Sequence, residues 1–141
     1  MSSSRRYLRD LPEVPAARRF VGEAVEAEGW IATDDLLLAA SELVTNAVRH
    51  GEGAMEVRVD VGHGVARVEV LDEGGRLVEE PSSVLRVDAI GGRGLHLVRS
   101  VSQAWGSGID ARGRTSVWAE IPVHRVARAA AGNGSAGARV C

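Results

Sequence analysis

Apolar side chains recur through the first third of the chain with the period of a helix. In "EVPAARRFVGEAVEAEGW", Val14, Ala17, Phe20, Val21, Ala24 and Val25 fall on one face, behind the opening prolines Pro12 and Pro15. Gly29 follows as a stop signal. A second, cleaner stripe runs through Leu36, Leu37, Ala40, Leu43, Val44, Ala47 and Val48. Its spacing is i, i+1, i+4, i+7, i+8, which predicts an amphipathic helix. Thr33 and Asp34 both suit its N-cap, and Gly51 ends it.

The period then changes to two. Met55–Val61 and Val65–Leu71 alternate around "GHG", which predicts a β-hairpin with a tight glycine turn. The second strand runs into Asp72, Gly74 and Gly75. Residues 76–90 contain Pro81 and keep no period, so they read as a loop with one short turn. "GGRGLHLV" opens a short helix through Leu95, Leu97, Val98 and Val101. Ala104–Ala111 and Thr115–Ile121, joined at "RGR", predict a second hairpin. Residues 1–10 read as polar and loose, with "RRYLRD" able to add a short strand. Residues 124–141, rich in Ala, Gly and Arg, read as a disordered tail. One domain over residues 11–123 remains. Its element order predicts an α+β two-layer sandwich, with helices on one face of a mixed, mostly antiparallel sheet.

Composition narrows the function. The 141 residues are 45% hydrophobic and 26% charged, with a formal net charge of -2. That balance suits a globular domain and argues against a general nucleic-acid binder, which needs a basic excess. No apolar run approaches the roughly 20 residues of a membrane span, and the N-terminus lacks a signal-peptide core, so a cytoplasmic location is expected. The single cysteine, Cys141, can form no internal disulfide. All 17 basic side chains are arginine. A Walker P-loop, which needs a lysine on the phosphates, is therefore excluded, as is Schiff-base chemistry through lysine. The spacing of the four histidines, His50, His63, His96 and His124, matches no metal site.

Three polar features stand out against this background. Glu42 and Asn46 lie one turn apart beside the apolar stripe of the second helix. A carboxylate and an amide oxygen so placed can hold a water and a hard cation such as magnesium. In "LDEGG", Asp72 is a hydrogen-bond acceptor at a strand end, and Gly74 allows close approach to the backbone. In "GGRGL", Gly91, Gly92 and Gly94 can wrap an anion at a helix N-terminus, and Arg93 adds charge. Each feature has an ordinary alternative. Alone, the Glu/Asn pair reads as a solvated stripe, Asp72 as a strand-ending turn, and the glycines as a hinge.

In this order, and without a P-loop, the three features together resemble the GHKL (Bergerat-fold) ATPases, the superfamily of gyrase, MutL and histidine kinases. Within it the chain is most similar to the small bacterial anti-sigma factor serine/threonine kinases. "ELVTNAVRHG" looks like the N box, "LDEGG" the first Gly box, "GGRGLHLV" the second, and "GRTSVWAEIP" the closing segment. The likeness covers roughly residues 5–122. It implies a Bergerat fold that binds ATP and Mg2+. By this resemblance Glu42 is the catalytic base, Asn46 the magnesium ligand, and His50 a neighbour of the nucleotide. Asp72 accepts the adenine amine, Gly74 admits the adenine ring, and Thr115 lies near it. Gly92 and Gly94 belong to the phosphate-covering lid, with Leu95 starting the helix behind. Arg49 is also within reach of a phosphate from its place on the helix. The short stretch from Gly75 to Gly91 implies a small lid. The partners implied are a sigma factor and an anti-sigma-factor antagonist, the latter phosphorylated on serine, and the chain is expected to be a homodimer. The rival reading is a non-catalytic ATP/ADP switch, and the plainest is an interaction module without a ligand.

Overall fold

The computed structural model describes residues 2–74 and 94–125. The expected loop over 76–90, with Gly92, Arg93 and the tail past residue 125, lies outside the described residues. The described elements are β1 (Ser2–Tyr7), α1 (Glu13–Ala27), α2 (Asp34–His50), β2 (Met55–Gly62), β3 (Val65–Asp72), α3 (Gly94–Val101), β4 (Ala104–Ile109) and β5 (Thr115–Pro122).

Local chemistry sets the helix ends. No side chain caps α1. The turn before it serves instead, with Glu13 N–H donating to Asp10 C=O and Val14 N–H to Leu11 C=O. Pro15 sits in the first turn, where a missing N–H costs nothing. The helix ends at Gly29, whose φ of +86° is a left-handed conformation that glycine takes without strain. Of the two candidate caps on α2, Thr33 is the one used: its hydroxyl oxygen accepts from Leu36 N–H at 3.2 Å. Asp34 and Asp35 in the first turn, and Arg49 and His50 in the last, suit the helix dipole.

The strands form one sheet in the order β1-β2-β3-β5-β4, and every described pairing is antiparallel. The β2–β3 turn places His63 and Gly64 at positive φ, as a two-residue turn matched to strand twist requires. The inward face of the sheet repeats every second residue. Val57, Val70 and Val117 stand side by side across three strands, as do Val59, Val68 and Ala119. They pack with Val21, Val25, Leu36, Leu43 and Val44 of the helices into one core, joined by Leu95 and Val98 of α3. The inward row at the far end of the sheet is Met55, Asp72 and Thr115. There the apolar pattern gives way to polar groups. Past β5, Ile31 N–H donates to His124 C=O, and the Arg125 guanidinium lies 4.3 Å from the Trp30 ring centre. Among the described residues no helix is long and apolar enough to cross a membrane.

The outward face carries the charge. Arg114, which directly precedes Thr115, reaches across β3 to donate to Glu56 of β2 at 2.7 Å, and its Nε donates to Asp110 at 2.9 Å. Asp110 also accepts the backbone N–H groups of Arg112 and Arg114 through its other oxygen. This closes the hairpin loop early and ends β4 at Ile109, short of the expected Ala111. The clamp thus fixes the hairpin that presents Thr115 on the inward face. Partial burial pushes the Glu56 carboxyl up, but hydrogen bonds from Arg114, Arg58 and Ser4 outweigh it and hold the group below its ordinary 4.5. A carboxylate held down in the folded state stabilises above its unfolded pKa and loses that contribution as pH falls through the folded value. Glu56→Gln is therefore expected to cost about 1 kcal/mol at pH 7. In urea unfolding the gap from the native chain should close as the pH drops below 4.5.

Candidate functional site

The polar end of the inward face centres on Asp72. It is the last residue of β3 and only 6% exposed. A carboxylate so placed needs hydrogen bonds to offset lost hydration. Its Oδ1 accepts from Gly74 N–H at 2.7 Å and from Glu52 N–H at 3.2 Å. The second bond comes from the loop after α2, so β3 and the end of that helix are tied at this point. Glu73 N–H donates to Glu52 C=O at 2.8 Å and doubles the tie. Thr115, also buried, stands directly opposite Asp72 on β5.

Two glycines make the arrangement possible. A Cβ on Gly74 would stand 2.8 Å from Asp72 Oδ1 and 3.6 Å from the Thr115 hydroxyl. A Cβ on Gly51 would stand 2.7 Å from both Cγ and Oδ2 of Asp72, and 2.6 Å from Ala47 C=O. Glycine at 51 thus keeps a side chain off the second carboxylate oxygen. From the sequence, Gly51 reads only as a helix stop. Its φ of -84° is open to any residue, so the requirement is steric, and no local signal distinguishes it from an ordinary C-cap.

Asn46 and Glu42 lie about 6 Å apart along α2, one turn from each other. Both are half-buried beside Leu43 and Ala47, while His50, a further turn on, is exposed. Arg49 is exposed as well. Gly94 opens α3, and Leu95 is buried in the core where α3 packs on α2. Glu42, Asn46 and His50 thus share one side of α2, and the end of that helix leads through Gly51 to Asp72, Gly74 and Thr115. Gly92 and Arg93 lie outside the described residues, so the described part of the "GGRGL" segment is its helical end.

These groups fit the ligand that the resemblance implies. A buried acceptor with glycines on two sides suits the amine edge of a purine. Asn46 offers one neutral oxygen, and among the described residues no three His, Cys, Asp or Glu side chains gather into a metal-binding group. A magnesium ion would therefore take most of its ligands from phosphates and water.

Gly51→Ala should destabilise the fold by about 1–3 kcal/mol, because the methyl group meets backbone and a hydrogen-bonded carboxylate. Gly62→Ala is the control, since nothing lies within 4 Å of a Cβ there. It should change stability by about 0.5 kcal/mol or less. Urea unfolding of the two variants checks the contrast, and equal midpoints would contradict the close approach at Asp72.

A family model described as a histidine kinase-like ATPase domain matches residues 9–119. A comparison with curated proteins finds no match. The matched span takes in both helices of the first half, the Asp72 strand end, β4 and the first part of β5. The chain therefore belongs to the histidine kinase-like ATPase domain family, of the GHKL type, and this membership supports ATP binding.

Proposed function

We propose that the protein is an ATP-dependent anti-sigma factor with serine protein kinase activity, which phosphorylates an anti-sigma-factor antagonist and restrains a sigma factor in the cytoplasm. The observation that carries the nucleotide part is the joining of Asp72, Gly74 and Thr115 at the end of the helix that bears Glu42 and Asn46. The partner assignment rests on the resemblance of the N box and Gly boxes to the small anti-sigma kinases.

Bound Mg2+–ATP supplies the transferable phosphoryl group and the positive charge that offsets its oxygens. The chain does the rest by placement. Asp72 accepts from the exocyclic amine of adenine, with Gly74 and Thr115 beside the ring. The Asn46 amide oxygen would hold the metal. His50 and the backbone of Gly94 and Leu95 would face the phosphates, where the start of α3 turns the positive end of its dipole outward; the resemblance adds Gly92 and Arg93, which lie outside the described residues. Glu42 takes the proton from the partner's serine hydroxyl as that oxygen bonds to the γ-phosphorus and the bond to the ADP oxygen breaks. Two copies would act together as a homodimer.

The test uses the purified chain, labelled ATP, magnesium and a cognate antagonist. Glu42→Ala should cut phosphate transfer by about a hundredfold or more while ATP still binds. Full transfer in that variant would remove Glu42 as the base. ATP binding by the native chain without transfer to any antagonist would point to the non-catalytic switch. A monomer mass in sedimentation would remove the dimer.

A further inference from the structure

We infer that Arg9 is a positioning residue for the base-recognition carboxylate: by taking the place of a backbone donor on Val48, it frees the Glu52 N–H to hold Asp72. The inference rests on the reading of Asp72 as the acceptor for a purine amine.

The backbone groups at the end of α2 each need a hydrogen-bond partner. In a helix each carbonyl accepts from the N–H four residues on. Ala47 C=O follows this rule and accepts from Gly51 N–H at 2.8 Å. The next carbonyl, Val48 C=O, would accept from Glu52 N–H. That N–H instead points to Asp72 Oδ1. Val48 C=O is left without its helical partner, and a carbonyl in a partly buried place needs one. Arg9 supplies it: one terminal nitrogen donates to Val48 C=O at 2.7 Å. The same guanidinium donates through Nε to Gly53 C=O at 3.1 Å, on the far side of the loop. Arg9 thus grips the residues flanking Glu52. A rigid fork of donors suits this double contact better than a lysine would, and a cation at a helix C-terminus is favoured by the dipole.

The link to Asp72 is short. Arg9 holds Val48 and Gly53, Glu52 lies between them, and Glu52 N–H is one of the two backbone donors on Asp72 Oδ1 among the described residues. Without Arg9, Val48 C=O and Asp72 compete for one N–H. If the helix extends by a residue and wins, the carboxylate keeps just one of its two described backbone bonds, the one from Gly74, and holds its direction less firmly. The loss then falls on recognition of the amine rather than on the rest of the nucleotide.

The experiment compares Mg–ATP with Mg–purine riboside triphosphate, which lacks the exocyclic amine, by titration calorimetry on the full chain. The native protein should prefer ATP by about tenfold or more, because a built acceptor rejects an analogue without the donor. Arg9→Ala should reduce that preference to about twofold or less while affinity for the amine-free nucleotide changes by under about threefold. Arg9→Lys should fall between them, and it carries the test if the alanine variant does not fold. Equal weakening of both nucleotides, or no change in the ratio, would overturn the inference and leave Arg9 a structural tether. A native protein that binds both nucleotides equally, or neither, would instead overturn the reading of Asp72, and the role of Arg9 with it.

Discussion

A carboxylate shielded from water at the end of a central strand has to be satisfied by the chain around it, and Asp72 sets this demand. Its Oδ1 takes the N–H groups of Gly74 and Glu52, so two segments distant in sequence must meet there. Several otherwise unrelated features follow. Residue 51 has to be glycine to fit against the carboxylate. The last turn of α2 gives up a regular helical bond, and Arg9 comes from the segment after β1 to replace it. Across the sheet, Thr115 faces the same carboxylate from a hairpin that Arg114 anchors to Glu56 and Asp110. The inward face of the sheet is apolar until this row, then polar.

The fold was largely legible because its two periods are clean. The α2 stripe and the alternation of β2, β3 and β5 bury most of what they predict: Leu36, Leu43 and Val44 on the helix, and Val57, Val68 and Val117 on the strands, while Leu37, Val48 and Val65 stay half-buried. The turn at His63 and Gly64 was marked by its glycines. Boundaries were harder where a side chain outcompeted the strand pattern. Ala111 continues the alternation, but the Asp110 carboxylate takes the backbone N–H groups of Arg112 and Arg114 and closes the loop first.

The candidate site residues come from sequence motifs, whereas the groups that support them do not. Glu42, Asn46, Asp72, Gly74 and Thr115 could be named because "ELVTNAVRHG", "LDEGG" and the closing segment carry recognisable order. The meeting of Asp72, Gly74 and Thr115 is a matter of strand register, which the hairpin pattern alone does not fix for β3 against β5. Arg9 could not be found at all from the sequence. Its contacts with Val48 and Gly53 bridge 39 and 44 positions, and an arginine in a polar N-terminal stretch reads as solvated. Gly51 was visible as the helix stop that it is, but its close approach to the Asp72 carboxylate was not, since both ask for the same residue.

The central claim is that the Asp72 row and the adjoining side of α2 form one nucleotide site. Backbone amide resonances followed while Mg–ATP is added to the native chain test it most directly. The amides of Asn46, Glu52, Gly74 and Thr115 should shift together and saturate with a single dissociation constant. Shifts confined to other parts of the fold, or no saturable shift at millimolar nucleotide, would contradict it.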